Sequence, residues 1–288
     1  MDQKTLIVHD AINIIKDELK DQYPAREIQG FTELIFEHIL NFSKTDILLR
    51  YDTKLSNSEV FQIKEIIKEL QNYKPIQYIL GKACFYGFTL KVSPDVLIPR
   101  QETEELVKWV IDDAGTNSLK ILDIGTGSGC IAIALALNLP LSYVMAYDIS
   151  EKAILQAEKN TRESGANVNF FVEDIFAPVI VKSKKYDIIV SNPPYVTESE
   201  KQLIEKNVLY YEPLSALFVS DNQALIYYEA IAAIARDVLN PKGRLFFEIN
   251  ENKAEEIERL LKRNMYANVE LRKDINGKYR MARAVLSV

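Results

Sequence analysis

Along the first quarter of the chain, apolar residues recur at helical spacing. Leu6, Ile7, Ala11, Ile14, Ile15 and Leu19 share one face between Leu6 and Leu19. Pro24 opens a second helix carrying Ile28, Phe31, Leu34, Ile35, Ile39 and Phe42. A short helix is expected around Asp46–Arg50, and Ser56 with Glu59 makes a capping box for a helix carrying Val60, Ile63, Ile67 and Leu70. Residues 1–73 therefore read as a helical domain with no chemistry of its own, either a scaffold extension or a substrate-docking module. The pattern changes after Pro75. PIQYILG is followed by two short runs, Ala83–Tyr86 and Phe88–Val92, with Gly87 between them, which predicts a β-hairpin linker over 74–95. LIPRQETEEL (Leu97–Leu106) then enters a helix carrying Leu106, Val107 and Val110.

From Leu119 strand and helix patterns alternate, which predicts an α/β domain over 96–288 with a mostly parallel sheet covered on both faces. The expected strands are Lys120–Ile124, Tyr143–Asp148, Val168–Val172, Tyr186–Ser191, Gly243–Ile249, Asn268–Leu271 and Met281–Leu286. A long helix is expected from Gln223 to Leu239, and Pro241-Lys242-Gly243 reads as a turn into the fifth strand. Asn276-Gly277 predicts that the last two strands close the sheet as an antiparallel hairpin.

The fourth strand ends in YDIIVSNPPY, Tyr186–Tyr195. Proline cannot donate to a sheet ladder, so the chain leaves the sheet at Asn192. Both proline φ angles are fixed, and Asn192 is pushed toward extended geometry by the proline after it. An amide side chain, the carbonyl of Pro193, Pro194 and the ring of Tyr195 are thereby held rigidly at a strand end, where open α/β sheets bind ligands. The oxygens of Asn192 and Pro193 suit both hydrogens of a planar –NH₂ group, and Tyr195 suits packing against the flat group that carries it. A plain Pro-Pro turn is the bland alternative.

The first strand ends LDIGTGSGC, Leu122–Cys130. Gly125, Gly127 and Gly129, with Thr126 and Ser128 between them, form a G-x-G-x-G turn where backbone can bend sharply and a ligand can approach it closely. A dinucleotide fingerprint has its third glycine one place later, so the spacing leans away from a nicotinamide cofactor. Asp148 ends the second strand where ribose hydroxyls are held. Asp123 suits a cationic amino group, Asp174 an adenine amino group, and Ile175 with Phe176 the adenine ring. For each acid the alternative is a helix cap or solvated loop.

The 288 residues are 48% hydrophobic and 26% charged, as in an ordinary globular protein of about two domains. A net charge of −6 argues against broad nucleic-acid binding. No run is apolar enough to span a membrane, and no signal peptide opens the chain. Cys84 and Cys130 match no metal spacing and read as buried free thiols in a reducing cytosol. With only His9 and His38, both in the helical part, the sequence argues strongly against a histidine metal site or a Ser-His-Asp triad in the second domain.

LDIGTGSG, the acid ending strand two and NPPY ending strand four resemble a class I S-adenosylmethionine-dependent methyltransferase. PIQYILG, FYGF, LIPRQETEEL, SNPPYV and YEPLSAL together resemble the release factor glutamine methyltransferases (the PrmC/HemK family) along nearly the whole chain. The resemblance implies a doubly wound seven-stranded sheet, a helical N-terminal domain joined by a hairpin, and methyl transfer to the side-chain nitrogen of the glutamine in the Gly-Gly-Gln motif of peptide chain release factors. Carried over by position, Gly125–Gly129 and Asp148 hold the cofactor, Ile175 borders the adenine, and Asn192–Tyr195 hold the glutamine. A cytoplasmic monomer in translation termination, with release factors as partners and no direct nucleic acid, membrane or metal, is expected. Two positions depart from the family's pattern: Tyr210 where a basic residue is frequent, and Asn250 where glycine is expected. Asn-Pro-Pro-aromatic suits an adenine exocyclic amine equally, so a nucleic-acid N6-adenine methyltransferase and a ribosomal-protein glutamine methyltransferase remain chemical alternatives. A cofactor-binding regulatory protein is the alternative outside enzymes.

Overall fold

The structure, a computed structural model, describes residues 6–287. Residues 1–5 and 288 of the expected domains lie outside the described residues. The chain forms two units: Met1–Gly81 with Glu205–Tyr211, and Lys82–Ile204 with Glu212–Val288.

The first unit contains α1 (Val8–Leu19), α2 (Ala25–Leu40), α3 (Lys44–Leu49), α4 (Asn57–Gln71) and α5 (Ile76–Leu80). Their apolar stripes meet in a core that includes Val8, Ile15, Leu19, Ile35, Phe36 and Leu70. The capping box before α4 is present: Ser56 Oγ accepts from Glu59 N–H at 3.3 Å, and Glu59 Oε2 accepts from Ser56 N–H at 2.6 Å. A second box, Ser43 with Asp46, starts α3. PIQYILG, which the apolar spacing leaves unassigned, is α5. Pro75 caps its start and Gly81, at φ +68°, ends it in the left-handed region. Five residues are too few for periodicity to register. Glu205–Tyr211 joins this unit although it lies far along the chain. The Tyr211 hydroxyl donates to Asn72 O at 2.9 Å, and Lys206 Nζ lies 4.8 Å from the centre of the Tyr73 ring.

The second unit opens with the hairpin β1 (Lys82–Phe85) and β2 (Phe88–Lys91). Tyr86 and Gly87 both have positive φ, 47° and 84°, the primed turn that matches strand twist. The hairpin belongs to this unit and is no separate linker: Lys91 exchanges both backbone hydrogen bonds with the buried Asn160 amide, at 2.8 and 3.0 Å. The boundary therefore falls at Gly81/Lys82 and not after residue 73. Cys84, on β1, is exposed, which corrects its reading as buried.

Then follow α6 (Gln101–Ala114), β3 (Lys120–Ile124), α7 (Cys130–Asn138), β4 (Tyr143–Asp148), α8 (Glu151–Ser164), β5 (Val168–Val172) and β6 (Tyr186–Ser191). Two-residue strands β7 (Val196–Thr197) and β8 (Phe218–Val219) flank α9 (Lys206–Tyr211) in sequence. The chain ends with α10 (Ile226–Val238), β9 (Leu239–Glu248), α11 (Ala254–Arg263), β10 (Tyr266–Lys273) and β11 (Tyr279–Leu286). The seven-stranded sheet runs β10-β11-β9-β6-β3-β4-β5, with β11 alone antiparallel to its neighbours. Pro241-Lys242-Gly243 is a bulge inside β9, because pairing with β6 resumes on both sides of it. A Cβ on Gly243 would meet Asn240 O at 2.8 Å, so only glycine fits.

Strand order explains where the site lies. The chain winds outward through β3, β4 and β5, then returns to β6 on the other side of β3. Loops leaving β3 and β6 diverge at this switch point and open a crevice at the carboxyl ends of the strands. Those loops carry the glycine turn and Asn192–Tyr195.

Candidate active site

At the end of β3, Gly125, Gly127 and Gly129 all take left-handed backbone, at φ 73°, 53° and 84°. The amides of Gly125, Thr126 and Gly127 are held by β4. Gly125 and Thr126 N–H donate to Tyr147 O at 2.9 and 3.0 Å, and Gly127 N–H donates to Asp148 Oδ2 at 2.9 Å. The glycines do different work. A Cβ on Gly125 or Gly127 would meet nothing within 4 Å, so their backbone is open to a ligand. A Cβ on Gly129 would stand 3.0 Å from Ala157 Cβ and 3.2 Å from Ile133 Cδ1. Gly129 is a close-packing glycine between α7 and α8.

Asp148 accepts from Gly127 N–H and, at 2.9 Å, from Ser150 N–H. Burial raises its carboxyl, and those backbone donors oppose the rise. Asp123 is fully buried. Its Oδ2 accepts from Thr126 Oγ1 at 2.7 Å, while its Oδ1 has no partner. Desolvation pushes this carboxyl up to about 7. Asp174 accepts from Phe176 N–H at 2.9 Å, the local turn that was its bland alternative. Its neighbour Glu173, unnoticed in the sequence, is buried and gathers the backbone N–H groups of Val179, Ile180 and Val181, which shapes the loop after β5.

The turn after β6 is held by side chains. Ser191 Oγ donates to Ile124 O at 2.7 Å and ties the ends of β6 and β3 together. Asn192 Nδ2 donates to Thr103 Oγ1 at 3.3 Å, and Thr103 Oγ1 donates to Glu248 Oε2 at 2.6 Å. Tyr195 Oη donates to the other Glu248 oxygen at 3.0 Å, and Tyr228 Oη donates to the Glu248 carbonyl at 3.1 Å. Burial raises the Glu248 carboxyl and the Tyr195 phenol alike. Asn250 Nδ2 donates to Tyr195 O at 3.1 Å and to Glu200 Oε2 at 2.9 Å, a brace that glycine would lack.

A cavity of about 330 Å³ lies between these loops. Of the residues singled out in the sequence, Gly125, Thr126, Gly127, Ser128, Asp148, Asp174, Ile175, Asn192, Pro193 and Pro194 line it. Three others lie behind it. Asp123 sits beneath the glycine loop, Gly129 packs on Ala157, and Tyr195 points its hydroxyl at Glu248. Arg100 also lines the cavity and pairs with buried Glu212 at 2.6 Å, while Glu212 accepts from Ile98 N–H. This pair joins the LIPRQETEEL and YEPLSAL stretches. Glu104 and Glu105, in the first turns of α6, each accept a backbone N–H, from Tyr86 and Ile275. Sequence reasoning missed Thr103 and Glu248. Thr103 lies inside a stretch already singled out, whereas an acid at a strand end was the only signal for Glu248.

The residues present fit a nucleoside cofactor bearing a charged amino-acid end. Open space stands over Gly125 and Gly127, a carboxylate stands at the end of β4, and the buried Asp123 Oδ1 has an unmet acceptor. Among the described residues no group of three or more His, Cys, Asp or Glu side chains converges as a metal site, and no helix is long and apolar enough to cross a membrane.

The Methyltransferase small domain family matches residues 103–211, and the PrmC N-terminal domain family matches residues 10–81. A release factor glutamine methyltransferase of Bacteroides thetaiotaomicron is 45% identical over 270 residues, 94% of this chain and 97% of the relative. One from Flavobacterium psychrophilum is 44% identical over 263 residues, 90% of this chain and 92% of the relative. Among solved structures, a methyltransferase from Pyrococcus furiosus shares the fold, with a TM-score of 0.52, 17% identity, and coverage of 77% of this chain and 98% of that one.

Proposed function

Because this chain belongs to the release factor glutamine methyltransferase family, we propose that it methylates the side-chain nitrogen of the glutamine in the Gly-Gly-Gln motif of peptide chain release factors, with S-adenosylmethionine as the donor. The observation that supports this most is the sharing of one cavity by Asn192 and Pro193 with Gly125–Ser128. The two residues that carry acceptors for an –NH₂ group thus line the same space as the glycine loop.

When bound, S-adenosylmethionine supplies an electrophilic sulfonium methyl group. Asp148 would hold the ribose hydroxyls, Ile175 would border the adenine, and Gly125 and Gly127 would let the cofactor lie against backbone, while Asp123, beneath the glycine loop and outside the cavity lining, would support that loop through Thr126. The remaining task falls to Asn192 and Pro193. An amide nitrogen is a poor nucleophile because its lone pair is delocalised. Asn192 Oδ1 and Pro193 C=O accept its two N–H groups and turn its lone pair toward the methyl group. As nitrogen attacks it becomes cationic, and its N–H groups become stronger donors. Both hydrogen bonds therefore strengthen in the transition state, which lowers the barrier. No strong base is needed, since a protonated N-alkyl amide sheds its proton readily.

The test is transfer of labelled methyl from S-adenosylmethionine to a purified release factor, beside the same factor with its Gly-Gly-Gln glutamine changed to alanine. Label is expected on the first and none on the second. Label absent from both and present on ribosomal protein or DNA overturns the substrate assignment.

A further inference from the structure

We propose that Thr103 and Glu248 are positioning residues that decide which end of the Asn192 side-chain amide faces the cavity. An asparagine amide is nearly symmetric in shape, and its two ends have opposite hydrogen-bonding character. Acceptance of a substrate N–H requires Oδ1 at the cavity and Nδ2 turned away. Nothing in the Pro-Pro turn itself enforces that choice, since fixed proline φ angles constrain backbone and not χ2 of Asn192.

The enforcing element lies behind the turn. Glu248 stands at the end of β9, and its side chain is fully shielded from solvent. Both carboxylate oxygens are engaged, Oε2 by the Thr103 hydroxyl at 2.6 Å and Oε1 by the Tyr195 hydroxyl at 3.0 Å. Burial raises this carboxyl, and the Thr103 and Tyr195 hydroxyls and the Arg280 charge oppose the rise and favour the ionised form; in that form the carboxylate can only accept, so it claims the one proton that Thr103 Oγ1 carries. Thr103 Oγ1 is then left with lone pairs alone on the side facing Asn192. A lone pair attracts Nδ2–H and repels Oδ1, and Nδ2 is the atom found there, at 3.3 Å. The sense of each donor is thus passed from a buried charge through one hydroxyl to the catalytic amide. Two further contacts keep the relay in register. Thr103 is itself buried in the first turn of α6, and Asn250 clamps the Tyr195 carbonyl, which anchors the turn Asn192–Tyr195 at its far end.

The inference rests on the reading that Asn192 Oδ1 accepts from the substrate amide, and its test separates the two. Thr103→Val keeps the shape and removes the acceptor. With release factor and S-adenosylmethionine as substrates, kcat should fall by about 10²-fold, the cost of misplacing one catalytic group. The KM for S-adenosylmethionine should stay within about twofold, and Thr103→Ser, which restores the hydroxyl, should recover kcat to within about threefold. In an Asn192→Ala background, Thr103→Val should change kcat by less than about twofold, because a residue that acts only through Asn192 has nothing left to position. Glu248→Gln, run in the same two backgrounds, gives a second reading that does not depend on the folding of the valine variant. If Asn192→Ala is inactive while Thr103→Val and Glu248→Gln keep wild-type kcat, the positioning role is overturned and the reading of Asn192 stands. Equal losses with and without Asn192 would mean a structural role and would also overturn it. If Asn192→Ala keeps kcat, the reading of Asn192 falls and the inference with it.

Discussion

The loop after β3 and the turn after β6 sit side by side at the ends of paired strands, yet they are built from opposite materials. The first is made of glycines, and its shape depends on left-handed backbone angles that other residues reach only with strain. It offers bare backbone, steered by the carbonyl of Tyr147 and the carboxylate of Asp148. The second is made of prolines, and its backbone has little freedom left. It offers two acceptors, one of them steered by a chain of side chains that ends on a buried glutamate. A large cofactor needs close approach over a long surface, which missing side chains provide. A small reacting amide needs two atoms held in one place, which rigid backbone and a fixed rotamer provide. The division predicts that damage to one loop changes binding and damage to the other changes rate.

The sharpest contrast pits Asn192→Ala against Asp148→Ala. Loss of an acceptor that strengthens in the transition state should lower kcat by about 10²–10³-fold, with cofactor affinity nearly unchanged. Loss of the Asp148 carboxylate, which we propose holds the ribose, should weaken cofactor binding by about 10–100-fold, the range for hydrogen bonds to a charged group. Calorimetry with S-adenosylmethionine and steady-state rates at saturating cofactor separate the two, and a kcat collapse in Asp148→Ala would break the comparison.

Within the glycine loop a smaller contrast is available. Gly129→Ala meets both left-handed strain and a Cβ contact at 3.0 Å, so it should cost about 1–3 kcal/mol of stability in denaturant unfolding. Gly127→Ala should cost about 1 kcal/mol from backbone strain alone and should lose cofactor affinity instead. A separate effect, on pH dependence, concerns Asp123. Folding raises this carboxyl from its ordinary range near 4 to about 7. Between those values the folded chain keeps a proton that the unfolded chain has released, so stability of the cofactor-free enzyme falls as pH rises through that window. Thermal midpoints measured from pH 4 to 8 should decline on this account, and Asp123→Asn should flatten the decline.

What was legible in the sequence was whatever is local. β3, β4, β5 and β6 have the bounds that their sequence predicts; in β3, β4 and β6 this is because a buried parallel strand is a short, mostly apolar run with a sharp end. Ser56 and Glu59 cap α4 through atoms three residues apart. The glycine turn and Asn192-Pro193-Pro194 were readable because their chemistry is written in adjacent residues. The relay behind Asn192 was not. Thr103 and Glu248 are separated by 145 positions and meet only because β9 and the start of α6 converge behind the turn. Tyr195 illustrates the same limit: its ring next to two prolines suggests stacking on a ligand, but the partner that claims its hydroxyl lies 53 residues away. α5 escaped notice because five residues carry no period.

The excursion of Glu205–Tyr211 alters what the helical unit is in terms of connectivity. The chain passes between the two units three times, after Gly81, after Ile204 and after Tyr211. A single cut at the first passage frees residues 1–81 covalently and leaves them held by the contacts of Glu205–Tyr211 within the first unit, such as Tyr211 with Asn72. Deletion of residues 1–81 would strand a seven-residue segment and strip Tyr211 of its partner at Asn72. One peptide bond beyond Tyr211 stands Glu212, which holds Arg100 at the wall of the cavity. The helical unit is thus not an appendage that can be trimmed. It is threaded into the chain one residue away from the wall of the active site.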